Sequence, residues 1–202
     1  MANTNAPFGL RYIGMAGGAA PNAALQTLKN GILSSNTTKI YSGDLIKIVA
    51  AGRIEQWAAT NLAAQLWGVF RGCSFASQAR SEKRFSKIWP GADAVAGTVD
   101  AQFYPGVGAL PTEFVIQTDA TGIDISAIGA NADVTVGAGN DASGFSGMVL
   151  NATTSIGDQA TKPLRIVDLW ANRAPAGSPG TEAGAFNWAV VRLNTAAAGG
   201  IA

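Results

Sequence analysis

Residues 45–57 read Leu45-Ile46-Lys47-Ile48-Val49, then Ala50-Ala51-Gly52, then Arg53-Ile54-Glu55-Gln56-Trp57. Two runs rich in β-branched and aromatic side chains flank a small-residue break that ends in glycine, which is the pattern of a β-hairpin. In the second run, alternation puts Ile54 and Gln56 on one face and Arg53, Glu55 and Trp57 on the other. Both faces are mixed, so the turns must help to set the register.

The same signal extends outward. Lys39-Ile40-Tyr41 precedes the turn Ser42-Gly43-Asp44, and Leu66–Phe70 follows the hairpin with Trp67, Val69 and Arg71 on one side and Leu66, Gly68 and Phe70 on the other. Further strands are predicted over 98–104, 113–118, 148–151, 162–170 and 187–194, separated by glycine-rich loops at 137–147 and 173–184. Two short helices are expected. Leu25, Leu28 and Ile32 have helical spacing over 22–33, with Asn22 as cap and Gly31 as a weak point. A single turn follows Asp124, with Ile125 and Ile128 packing down and Gly129 ending it. The expectation is an all-β, mainly antiparallel sandwich or barrel with an extended N-terminal arm and at most one or two short helices. Residues 1–22 form the arm, too punctuated by Asn, Gly and Pro for a regular element. Its apolar Phe8, Leu10, Tyr12, Ile13 and Met15 need cover, from its own domain or from a neighbour. Residues 23–195 form the β-rich domain, divisible into two small modules joined near 76–97, and 196–202 form a flexible tail.

Composition narrows the function. Of 202 residues, 13% are charged, about half the roughly 25% usual for soluble domains. Fourteen basic residues against 13 acidic give a net charge of +1, which supplies no general attraction to nucleic acid or anionic membrane and favours association with protein. No apolar run reaches the length of a membrane-spanning helix, and the N-terminus lacks the pattern of a secretory signal. The lone Cys73, in an apolar run, reads as a core residue. Histidine is absent, which removes the commonest general base and metal ligand.

Other chemistry is sparse. Gly137-Ala138-Gly139-Asn140 opens like a dinucleotide fingerprint, but the third glycine is misplaced and no helix follows. Asp133, Asn140 and Asp141 offer hard oxygens without the twelve-residue calcium-loop pattern. No catalytic residue, cofactor or metal is therefore expected. The most distinctive charge feature lies within 76–92, where Arg80, Lys83, Arg84 and Lys87 interleave with Phe85, Ile88 and Trp89. One reading is nucleic-acid contact, with the arginines on phosphates and Phe85 or Trp89 stacking, against which the near-neutral overall charge argues; a second is docking on an acidic protein surface; as a solvated loop the segment would carry Trp89 into the core. The five tryptophans fall mostly on predicted strands, where aromatics usually fill a core.

Short motifs then recur in a shared order. Asn5-Ala6-Pro7-Phe8-Gly9-Leu10-Arg11 resembles the "APFGFRP" opening of a group of tailed-bacteriophage virion structural proteins. Gly43-Asp44-Leu45-Ile46-Lys47 resembles their "GDxVK", Gly68–Phe75 their "GVFxGxxY", and Phe85–Gly91 their "FSxYWPGG". Phe114–Asp119 and Ile128–Asp133 resemble "FExQxD" and "VGxNAD", and the likeness continues through Gly144–Gly147, Pro163–Leu169 and Trp188–Asn194. It departs from the group at Leu10, where an aromatic is usual, and at Tyr12, where proline is common.

The resemblance spans nearly the whole chain and implies a particle component. Its most specific form is a capsid decoration, or cement, protein made in the host cytoplasm and carried on the capsid exterior. Such a protein binds the major capsid protein, associates with itself as a homotrimer, and resists the outward pressure of packed DNA. Neither nucleic acid nor membrane is an expected partner. The expected contacts are Phe8, Arg11 and Tyr12 in the arm and Arg80, Lys83, Arg84, Phe85 and Trp89 beyond it. The alternatives are a tail-tube or other head–tail subunit, which would form rings, and a receptor- or glycan-binding module, which would need an exposed aromatic platform.

Overall fold

A computed structural model describes residues 2–15, 25–59, 65–106 and 112–194. The fold is all-β. β1 (Arg11–Met15), β10 (Thr112–Gln117), β14 (Trp188–Leu193), β13 (Leu164–Leu169), β11 (Asn131–Thr135) and β12 (Val149–Gly157) make one six-stranded sheet, in that spatial order. β2 (Gln26–Leu28), β9 (Asp100–Pro105), β6 (Leu66–Ala76), β4 (Leu45–Val49) and β5 (Arg53–Gln56) make the path of the second, with β7 (Lys83–Ser86) paired to β6. β3 (Ile40–Tyr41) and β8 (Ile88–Trp89) form a small ribbon. Every pairing of these strands is antiparallel. Neither sheet closes into a barrel, so the architecture is that of a sandwich.

The hairpin at 45–57 forms as its sequence predicts. Val49 pairs with Arg53 across a 3-10 turn at Ala50–Gly52, and Gly52 takes φ +70°, which glycine adopts without steric cost. One side of the second sheet supplies Leu45, Leu66 and Val69 to a core shared with Phe114, Ile116, Leu150, Ile166 and Val191 of the first sheet. Its other side supplies Ile46, Ile54, Phe70, Cys73, Phe75 and Phe103 to a second core, which Trp89, Ile32 and Val99 close. The second sheet is thus buried on both faces. The chain passes from the first sheet to the second between Met15 and Gln26 and returns between Pro105 and Thr112. The tail at 196–202 lies outside the described residues.

Strand β6 explains how one run serves two cores. Phe70 pairs with Phe103 and Gly72 with Gln102, leaving Arg71 as the extra residue of a β-bulge. A bulge reverses the alternation beyond it. Phe70 therefore faces the same core as Cys73 and Phe75, and Arg71 is the one exposed residue of the strand.

Several local expectations are corrected. The arm is not wholly irregular: Arg11–Met15 pairs with β10, and this cross-strand pairing outweighs its glycine content. The helix expected over 22–33 is replaced by β2 on the edge of β9, where three residues meet an available ladder; residues 22–24 lie outside the described residues. The 76–92 region is not a break in the β pattern but contributes β7 and β8. The turn after Asp124 forms, with the Asp124 side chain accepting from the Ser126 N–H and Gly129 at φ +90° beyond it. Ile125 and Ile128 do not pack down; both are exposed.

Candidate functional site

The arm folds back on its own domain. The Gln117 side chain on β10 accepts from the Ala6 N–H at 3.1 Å and donates to the Thr4 carbonyl at 2.8 Å. Phe8 lies edge-on against Trp188 at 4.8 Å between ring centroids. The chain then crosses two loops at a point where side chains have no room. The Leu10 N–H donates to the Gly43 carbonyl at 2.9 Å, and the Gly43 N–H donates to the Phe70 carbonyl at 2.8 Å. The Ser146 N–H donates to the Ser42 carbonyl at 3.0 Å. A Cβ on Gly9, at φ +69°, would fall 2.4 Å from Ser146 Cβ; one on Gly43, at φ +97°, would fall 2.8 Å from the Phe8 carbonyl oxygen. Three segments far apart in sequence, 8–10, 42–44 and 144–146, thus meet at one crossing.

Asp44 is enclosed beneath it and accepts from the Tyr41 N–H and the Gln56 side chain, each at 2.8 Å. Burial pushes its carboxyl above the usual range, against the lowering effect of hydrogen bonds from Ser146, Tyr41 and Gln56. Asp119 has a comparable architectural task. One of its oxygens accepts from the Ala152 and Thr153 N–H groups and the Thr153 hydroxyl, so it clasps the part of β12 that bows away from β11.

Beside the crossing, at the seam between the two sheets, lies a groove of about 390 Å³. Phe8, Tyr12, Phe70, Tyr104 and Phe145 contribute its aromatic residues, and Arg11, Arg71 and Lys87 its cations. Tyr12 of the first sheet stacks on Tyr104 of the second at 4.5 Å, with planes 8° apart, and so bridges the seam. The Tyr12 hydroxyl is buried and has no hydrogen-bond partner among the described residues. Burial, and then the neighbouring Tyr104, hold this phenol above its ordinary range. Lys87 Nζ lies 5.0 Å from the centre of the Phe145 ring, within cation–π range. No carboxylate lines the groove among the described residues.

The expected contact residues divide accordingly. Phe8, Arg11 and Tyr12 come together in the groove. Arg80, Lys83 and Phe85 are exposed and Arg84 half-buried on the adjoining β7 region; Phe85, 77% exposed, lies under Lys83 Nζ at 5.4 Å. Trp89 is a correction: it is fully enclosed against Phe75, and its indole N–H donates to the Asn36 carbonyl. Ring size and a satisfied N–H make it a core residue with no surface for a partner. Arg71 and Phe145 also line the groove and were not singled out in the sequence. The bulge that exposes Arg71 depends on pairing with β9, which no pattern within residues 66–76 reveals.

Two other features are structural. Glu113 is buried among Arg173, at 2.6 Å, and Arg192, at 2.6 Å, and Arg173 also meets Asp168 at 2.8 Å. Burial alone would raise the Glu113 carboxyl, but the hydrogen bonds and charges of the two arginines outweigh it and hold it below the usual range. The Cys73 thiol is pushed up to about 12 by burial, unsuited to forming a thiolate near neutrality. Of the loop oxygens considered for calcium, Asp141 is engaged by Lys39 Nζ at 2.7 Å and by the Tyr41 hydroxyl at 2.8 Å. Asn140 accepts from the Ala142 and Ser143 N–H groups as a turn former. Trp57 and Trp89 are buried and Trp67, Trp170 and Trp188 half-buried, with the rings of Trp170 and Trp188 6.2 Å apart.

No family model, curated protein or solved structure matches the chain.

Proposed function

We propose that the chain is a structural subunit of a tailed-phage particle, specifically a decoration protein that binds the capsid exterior and bridges neighbouring capsid subunits. The observation that carries this reading is the crossing of residues 8–10, 42–44 and 144–146, three of the segments on which the resemblance rests. Motif residues that serve architecture rather than reaction chemistry are what a structural subunit requires. Gln117 and Asp119, from another of these motifs, likewise hold backbone in place. The low charge content and the exposed Lys83–Phe85 ridge support a surface that meets protein.

On this reading the protein acts by burial. It associates as a trimer, lays its groove and the β7 ridge on the major capsid protein, and adds contact area across a boundary that internal DNA pressure would open. Its catalytic role is nil and it needs no cofactor. Cosedimentation with empty, expanded heads lacking the protein, together with its mass in solution, tests this. Saturable binding by a trimer, or by a monomer that trimerises on the shell, is expected. Hexameric rings or stacked tubes without head binding would move the protein to the tail.

A further inference from the structure

We infer that the groove between Arg11, Arg71 and Lys87 is the receptor for an acidic segment of the shell subunit, one that inserts carboxylates between these cations and lays apolar side chains on the adjoining rings. The inference rests on the particle reading for the identity of the partner, though not for the chemistry of the groove.

Four observations converge on it. Among the described residues, the three cations share one groove without a lining carboxylate and no salt bridge engages any of them, whereas Arg173 and Arg192 both meet Glu113. Like charges gathered without a counter-charge are unfavourable unless a ligand supplies it. Next, β-bulges lie at both walls: Arg71 is the extra residue in β6, and the register of β1 shifts between Tyr12 and Gly14. Bulges re-aim side chains and are over-represented beside functional sites. The ring of Tyr12 lines the groove, and its hydroxyl is buried with no hydrogen-bond partner among the described residues, a polar group of the groove wall left unsatisfied. Finally, the rings of Phe8, Tyr12, Tyr104 and Phe145 give the cations a partly desolvated setting, where an arginine–carboxylate pair is stronger than in open water.

A protein segment fits better than a nucleic acid. Three cations in about 390 Å³ match one or two carboxylate side chains, while a nucleic-acid track needs an extended basic stripe and a net charge well above +1.

The test has two arms. In the first, an alternating glutamate–valine hexapeptide, its glutamine counterpart and an oligothymidylate are titrated separately into the isotope-labelled full chain. Backbone resonances of Arg11, Arg71, Lys87 and Phe145 should shift with the acidic peptide and bind the glutamine peptide at least roughly tenfold more weakly. Equal binding of both peptides, no shift, or tighter binding of oligothymidylate would overturn the inference. In the second arm, empty expanded heads are cosedimented with wild type, Arg71→Gln, Lys87→Gln and the distant exposed-cation control Arg165→Gln, after thermal melting shows each to be folded. Binding should fall at least roughly tenfold for the two groove variants and hold for the control. Heads that bind every variant equally would sink the groove while leaving the particle reading intact. Acidic-peptide binding without head binding by wild type would do the reverse.

Discussion

The crossing at Gly9, Gly43 and Ser146 and the groove lined by Arg11, Arg71 and Lys87 are neighbours that share the same stretch of arm, yet they are built on opposite terms. At the crossing, backbone meets backbone, a Cβ at Gly9 or Gly43 has no space, and the polar groups beneath are engaged. In the groove, three long cationic side chains surround open space, and the hydroxyl of its wall residue Tyr12 has no partner among the described residues. The difference separates two kinds of distinctive residue. Glycines and the buried Asp44 are constrained by the fold, whereas the groove cations meet no carboxylate among the described residues.

The largest test of that contrast is Gly9→Ala or Gly43→Ala. Each combines a positive φ with a contact well inside van der Waals distance, so a loss of about 3 kcal/mol or outright failure to fold is expected in urea unfolding. A loss below about 0.5 kcal/mol, the range of ordinary surface changes, would mean that the crossing is pliable.

Charge provides the next test. Glu113→Ala leaves Arg173 and Arg192 without their shared carboxylate and should cost about 2 kcal/mol at neutral pH, read from the same unfolding curves. Its pH dependence has a definite sign. Because the folded state holds Glu113 below its ordinary range, its contribution is present above that range and is lost as pH falls through the folded value. Asp44 is shifted the other way, so acidification relieves it rather than weakening the fold. Acid-induced loss of stability between pH 7 and 3 should therefore shrink in Glu113→Gln and persist in Asp44→Asn.

Smaller effects sharpen the boundary between closure and recognition. Phe8→Ala removes the edge contact with Trp188 and part of the groove wall, for about 1.5 kcal/mol in thermal or urea unfolding and a measurable weakening of head binding. Phe85→Ser should change stability by less than about 0.5 kcal/mol, since the ring is mostly exposed, while weakening cosedimentation with heads. Unaltered cosedimentation would remove the β7 ridge from the contact surface.

The sandwich was legible because its signals are local. The 45–57 hairpin, the strand at 113–118 and the loops at 137–147 and 173–184 all show in alternation and glycine placement, and the structure keeps them with small shifts of boundary. β2 and β7 were not legible. Three residues on the edge of β9 and four on the edge of β6 carry too little pattern to announce a strand, and their ladders are supplied by partners remote in sequence. The candidate surface was half legible for the same reason. Phe8, Arg11 and Phe85 stand out as aromatics and cations in a chain poor in charge, but Trp89 has the same appearance and faces inward.

The chain's own order of residues settles its β content, its turns, its want of histidine and its near-neutral charge, because backbone preference, side-chain period and ionisation belong to single residues or close neighbours. It does not settle where the arm goes, which face of β6 Arg71 takes, or that Gly9, Gly43 and Ser146 share a point. Those depend on contacts such as Ala6 with Gln117, 111 residues apart, and on a bulge that exists only once β9 is in place. Long-range pairing selects among local conformations of similar energy, so the crossing and the groove come into being only when the two sheets close on each other.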